Sequence, residues 1–173
     1  GPEDSVEDKA RHPVIGTSWY DSIAFCRWAG VRLPSEAEWE KGARGTDGRI
    51  YPWGNDLPTP EYGNFGGSVG DTTPAGIYLK GASPYGIQDM AGNVREWLQT
   101  QWGPYGDVPA FGYPYSPSDG RETMAGGNEI CRGMREGSMY SSMRGIRCAY
   151  RHANLPNHAD NISGFRVAAL GED

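Results

Sequence analysis

The sequence predicts a single α+β domain: two short helices first, then a small sheet, with much of the chain in turns. Three observations carry this. Two capping-box patterns, Ser18 with Asp21 and Ser35 with Glu38, open short segments that Gly30 and Gly45 close. Beyond Gly45 the extended patterns are all brief. The 173 residues hold 26 Gly and 13 Pro, without a Gly-X-Y period, beside 6 Trp and 10 Tyr. A chain so rich in aromatics orders, and one so rich in turns has room only for short elements. Its length suits one substantial core without staples.

Residues 1–11 are polar and patternless and are expected to form a mobile lead. Their start, Gly-Pro-Glu-Asp-Ser, reads as a vector-derived scar or the cut edge of a longer protein. The domain proper is expected over 12–170. His12-Pro13 begins extended, because the residue before proline avoids the helical region. In the first helix Trp19, Ile23 and Cys26 share a face. In the second, Glu36, Glu38 and Glu40 crowd the early turns, where the macrodipole favours acids. They read as helix-start electrostatics and a solvated face rather than a metal or catalytic cluster. Ala37, Trp39 and Ala43 do not share one face, so only part of this helix can be buried.

From 45 to 85 the chain is turns, with Ile77-Tyr78-Leu79 the one short extended run. Val94 and Trp97 are expected to point inward on a strand running toward Trp102. Residues 103–129 form a long irregular loop, of the kind that is usually functional or mobile. Residues 147–150 and 164–170 read as short strands around an irregular loop.

A net charge of −6 and a pI of about 5.1 argue against general nucleic-acid binding. No apolar run approaches the roughly 20 residues of a membrane span. Three cysteines, Cys26, Cys131 and Cys148, are an odd number at irregular spacing and read as buried small hydrophobes, with one bridge left open. Gly-rich phosphate loops, His-x-x-x-His and paired Cys-x-x-Cys zinc patterns are absent. Localisation stays open, with cytoplasmic the expectation and a cell-surface setting the alternative.

The stretch from 135 to 167 fits no period of two or 3.6. Fixed-looking anchors (Gly137, Arg147, Arg151, Pro156, Gly164, Phe165) alternate with residues of every chemical class. Such a mixture on a held frame describes a binding face better than a core.

Elsewhere several motifs occur in order: His12-Pro-Val, Ser18-Trp-Tyr-Asp, Cys26-Arg-Trp-Ala-Gly, Arg32-Leu-Pro-Ser-Glu-Ala-Glu-Trp-Glu, Tyr51-Pro-Trp-Gly-Asn, Tyr85-Gly-Ile-Gln-Asp-Met-Ala-Gly-Asn-Val-Arg-Glu-Trp and Gly164-Phe-Arg-Val. Over about 12–170 the chain resembles the formylglycine-generating enzyme (sulfatase-modifying factor) family. The resemblance implies a C-type-lectin-like fold with two helices and a small twisted antiparallel sheet.

Active members oxidise a sulfatase cysteine with oxygen and copper held by two cysteines. Here Ser141 or its neighbours stand where the first should be and the second is missing. Serine cannot replace a thiolate as a soft Cu(I) ligand, so the resemblance implies neither copper nor catalysis here. A copper-dependent oxidase remains the alternative.

The same frame is similar to that of the variable proteins of diversity-generating retroelements, whose C-terminal segment is rewritten at adenines. That origin accounts for unrelated residues at Tyr140, Ser141, Ser142, Tyr150, His152, Ala153, Leu155, His158, Ala159 and Asp160. The expected ligand-binding set is Met139, Tyr140, Ser141, Arg144, Tyr150, His152, Ala153, Leu155, His158, Ala159 and Asp160, facing an unknown protein or surface ligand. Met139 stands where the family usually has Trp, and Glu136 where it has Gly. Arg147 and Arg166 are expected to make buried structural bonds. The resemblance also implies a structural calcium held by Asp89, Gly92, Val94 and Glu96, an all-oxygen set suited to a hard cation. A further family site at Asn64 is expected to fail, because its spacing to Asp71 is off. Ligand identity and oligomeric state are not legible.

Overall fold

The computed structural model describes residues 8–135 and 137–169. Helix α1 spans Trp19–Ala29 and α2 spans Glu36–Arg44. Both begin in reciprocal capping boxes, in which the serine accepts from the backbone three residues on and the acid accepts from the serine's backbone N–H. Gly30 ends α1 at φ 68°, a left-handed conformation that glycine adopts without penalty.

Strand β1 spans Arg95–Gly103, β2 Cys131–Arg135, β3 Arg151–Asn154 and β4 Ser163–Phe165. The sheet order is β3-β2-β1-β4. The expectation of an antiparallel sheet is corrected at one edge: β4 pairs parallel to β1, with Arg95 opposite Ser163 and Trp97 opposite Phe165. β3 already runs antiparallel to β2. The chain leaving it returns past α1, where Trp19 N donates to Pro156 O and Gly16 N to Asp160 O. It therefore meets the free edge of β1 in the direction of β1.

Alternation along β1 separates two cores. Trp97 joins Trp19, Ile23, Cys26, Leu33 and Met134 on the α1 side. Leu98 joins Trp39, Ala43, Met90 and Cys148 on the α2 side. The Trp19 indole N–H reaches through to Leu98 O at 2.9 Å, and that of Trp97 to Thr17 O at 2.8 Å. These two buried indoles thus keep their polar handles satisfied.

The acids of α2 are not a solvated face. Glu36 is fully buried. Its two oxygens accept from Arg151 Nε and Nη2 at 2.6 and 2.8 Å, and Arg135 Nη2 lies 3.4 Å from one of them. Arg135 donates to Glu40 at 2.9 Å and to Cys148 O at 2.8 Å. Only Glu38 serves the helix start, paired with Arg32 and Ser35; these partners hold its pKa down at about 2.

Other expectations shift. Residues 8–11 are fastened rather than mobile: Ala75 N donates to Arg11 O, and Lys9 pairs with Asp71. The run 77–79 is not a strand but leads into a 3-10 turn at Leu79–Gly81. A Cβ at Gly81 would lie 1.9 Å from Tyr62 O, so the loops there pack backbone to backbone. Residues 147–150 form turns, and the strand begins at Arg151. The loop between β1 and β2 is strapped to the sheet. Arg132 lies over the Trp19 ring and donates to the carbonyls of Thr123, Met124 and Ala125.

Replacing Glu36 by Ala should leave the largely buried Arg151 guanidinium without its carboxylate and Arg135 with Glu40 alone. Breaking a buried pair in this way costs on the order of 3–5 kcal/mol, and urea unfolding should show a loss of that size.

Candidate functional site

Gly137 passes so close to the 91–92 turn that a Cβ on it would lie 3.2 Å from Gly92 N; its φ is 131°. The chain is then stitched in. Met139 N donates to Asn93 O, Gly67 N to Met139 O and Gly66 N to Ser141 O. These bonds press Met139 and Ser141 inward, and Ser138 and Ser141 share a hydroxyl contact at 3.1 Å. Tyr140, between them, turns out to 53% exposure and donates its hydroxyl to Gly70 O.

The next turn buries Ile146 against Tyr51 and Ala91 and leaves Ser142, Met143 and Arg144 outside. Arg147 is exposed, contrary to expectation, because its Nε is taken by Arg144 O on the surface at 3.0 Å. Arg166, by contrast, is partly buried and donates to Glu96 through Nε and Nη2, at 2.5 and 2.6 Å.

Along β3 His152 is half-buried, while Ala153 packs inward with Trp102 and Cys131. Leu155 and Ala159 are exposed on the returning loop. His158 and Asp160 meet at 2.9 Å. Burial alone would raise the Asp160 pKa, but hydrogen bonds from Ser163, His158 and Ile162 N outweigh it and bring it below the ordinary carboxylate range.

The structure therefore brings Ser141, Arg144, Tyr150 and His152 around one cleft of about 240 Å³. Tyr140 stands exposed in the same turn, while Leu155, His158, Ala159 and Asp160 lie on the return loop toward β4. Met139 and Ala153 belong to the interior: the first is sewn to Asn93 and Gly67, and the second faces inward by strand alternation. The sequence reading missed Arg95, which lines the cleft from the start of β1. Its signal was alternation: Val94 and Glu96 are buried, so the residue between them faces the other way.

A second cleft, of about 280 Å³, is lined by Asp89, Gly92, Val94 and Glu96, the implied calcium set, together with Arg166. Asp89 accepts from Gly76 N through Oδ2, and Glu96 Oε2 accepts from Trp39 and Arg166. Burial first, and then the neighbouring Glu96 charge, push the Asp89 pKa up. The second oxygen of Asp89 and a lone pair of Glu96 Oε1 remain for a cation, so the donor chemistry fits. Asn64 and Asp71 also lie closer than their spacing suggests. Asn64 Nδ2 donates to Asp71 O at 2.7 Å, and the buried Asn64 Oδ1 has no hydrogen-bond partner.

The residues do not fit a copper pair. Cys26, Cys131 and Cys148 are free and buried in three different core clusters. Burial raises all three thiol pKa values, that of Cys148 to about 12.

Residues 1–170 match the family described as sulfatase-modifying factor enzyme 1-like, and the chain belongs to that family. It is similar to the formylglycine-generating enzyme of Mus musculus, 35% identical over 184 residues, 98% of this chain and 47% of the relative. It is also similar to serine/threonine-protein kinase pkn1 of Chlamydia caviae, 38% identical over 163 residues, 92% of this chain and 24% of the relative. The chain thus spans about half or less of these relatives. Among solved structures, PvdO from Pseudomonas aeruginosa matches with a TM-score of 0.72 at 26% identity, over 91% of this chain and 61% of that one. Treponema denticola variable protein 1 shares the fold with a TM-score of 0.66 at 23% identity, over 96% of this chain and 74% of that one. No helix among the described residues is long and apolar enough to cross a membrane.

Interior and exterior members of the segment should separate on substitution. Met139→Ala should cost about 2–5 kcal/mol in denaturant unfolding, as for a buried large-to-small change. Tyr140→Ala should stay within about 1 kcal/mol, since it loses only an exposed ring and one hydroxyl contact.

Proposed function

We propose that this chain is a ligand-binding domain without oxidase chemistry, the display domain of a variable protein diversified by a retroelement. It holds a macromolecular, protein-like partner against Tyr140, Arg144, Tyr150, His152, Leu155 and the rim at His158, Ala159 and Asp160. One observation carries the reading. From 137 to 160, residues the chain needs for its own packing are sequestered, while those between them are presented on a backbone held by other elements. Such a surface can change composition without changing the fold, as loops on rigid scaffolds do.

Two facts support it. The thiols are dispersed among three core clusters, where they cannot share a metal. Relatives as different in name as a formylglycine-generating enzyme and a protein kinase match the same stretch of chain, so the frame alone does not dictate one activity. The family's named enzymes favour the second reading, a formylglycine-generating-type oxidase acting on protein cysteine. The calcium set is proposed as structural: Asp89 and Glu96, with the Gly92 and Val94 carbonyls, would tie the 89–94 turn to β1.

The flanking DNA decides between the readings. A near-copy of the 3′ coding segment, differing at adenines and lying beside a reverse transcriptase, is expected; its absence would sink the display reading. Incubation with copper, oxygen and a Cys-x-Pro-x-Arg peptide should yield no aldehyde by mass spectrometry, and aldehyde would establish the oxidase instead. For calcium, millimolar CaCl2 should raise Tm by a few degrees over EDTA, and Asp89→Asn should erase the difference. A wild-type Tm indifferent to chelator removes the site.

A further inference from the structure

We infer that the partner surface held by this face is acidic: the segment 137–159 is arranged to meet the carboxylates of a protein ligand. The inference rests on the ligand-binding reading above and names the chemistry of its partner.

The chain as a whole carries a net charge of −6. Yet from 137 to 159 it has no Asp or Glu, while Arg144, Arg147, Arg151, His152 and His158 all fall within it. The excess of acid lies entirely elsewhere. Position decides which of these cations can serve. Arg151 is spent inward on Glu36. Arg144 and Arg147 are exposed, and the bond from Arg147 Nε to Arg144 O fixes one relative to the other. That bond uses only the inner edge of the Arg147 guanidinium, so the outer pair of nitrogens is presented as a fork. Such a fork pairs with a carboxylate through two parallel charge-assisted hydrogen bonds.

Beside them lies the cleft of about 240 Å³, lined also by the Ser142 hydroxyl and Tyr150; Arg95 and His152 in its wall already have partners within the protein, so the cations offered to a ligand are Arg144 and Arg147. That space admits one or two side chains, not a drug-sized ligand. Of the acids bordering the segment, Asp160 lies 3.8 Å from Arg95 and is already engaged by His158 and Ile162 N. The other, Glu136, is outside the described residues. Tyr140, Met143 and Leu155, each about half exposed, supply apolar contact around the charges.

The observations favour an acidic protein over a nucleic acid. Two surface guanidiniums give a short patch rather than a track along a phosphate backbone.

The test uses a fluorescently labelled peptide of ten glutamates, read by polarisation at low salt. A ten-lysine peptide and a 12-nucleotide oligo-dT serve as comparison probes. The glutamate peptide should bind more tightly than either, and weaken as salt rises. The double reversal Arg144→Glu/Arg147→Glu should weaken it at least tenfold with Tm unchanged, while Arg27→Glu, on the exposed face of α1, leaves it as it was. Should the double variant fail to fold, Arg144→Gln alone should still weaken binding several-fold. Binding that survives reversal, or tighter binding of the lysine peptide or the oligonucleotide, overturns the acidic partner. That failure is distinct from failure of the display reading, which turns on the template repeat and the aldehyde assay. A domain with its repeat in place that ignores polyglutamate would lose only the acidic partner.

Discussion

Arg135 and Arg151 sit opposite each other in the β2/β3 register, two cations side by side near the sheet interior. Neither can be buried there without an anion, because an isolated charge in a low-dielectric interior is costly by several kcal/mol. Helix α2 answers with Glu36 and Glu40, one turn apart. The arrangement fixes more than a pair. Arg135 also caps the Cys148 carbonyl and lies over the Trp39 ring. Trp39 in turn donates to Glu96, whose carboxylate is held by Arg166. A continuous run of charge and hydrogen bonds thus joins α2 to β1, β2, β3 and the C-terminal strand. A slip of one residue in β3 would carry Arg151 to the other face and take from Glu36 its bidentate partner, leaving only the longer contact to Arg135.

The face inherits its geometry from that network. With Arg151 pinned inward, alternation sends His152 to the cleft and Ala153 to the core beneath Trp102. With the Cys148 carbonyl pinned by Arg135, the turn preceding it is anchored at its far end. At its near end it is anchored by Met139 against Asn93 and Gly67. Between those two ties the backbone makes a short excursion, and Tyr140, Met143, Arg144 and Arg147 project from it with only surface bonds, Tyr140 to Gly70 O and Arg147 to Arg144 O. Packed and exposed side chains therefore alternate only a position or two apart.

What the sequence disclosed follows from how local each cause is. Both helices were legible to the residue because capping boxes act over three positions and the glycines that end them act over one. Glu36 was misread because the arginines that bury it lie about a hundred residues downstream, and a helix-start acid looks the same with or without them. Strand β2 was missed for the complementary reason. Arg132 and Arg135 break its apolar pattern, and only the carbonyls at 123–125 and the acids of α2 explain why they are inside. The parallel edge strand depends on where the returning loop passes α1, which no periodicity encodes. Within the candidate face, composition marked the segment, but only the stitching of Met139 and the alternation of β3 separated contact residues from packing.

The same contrast bears on why one frame can accompany unlike activities. Metal-assisted oxidation needs two soft ligands to converge on one point, a requirement that a single substitution destroys. Here the thiols instead fill three separate pockets of the core, where their raised pKa values suit packing and not ligation. Recognition by a surface needs no convergence, only exposure on a backbone that stays put. A network anchored on Glu36 and Arg135 keeps it there whatever projects from 140 to 160. A frame held in this way does not depend on a converging pair of thiols, and on the proposed reading it is a rigid platform on which contact chemistry can vary.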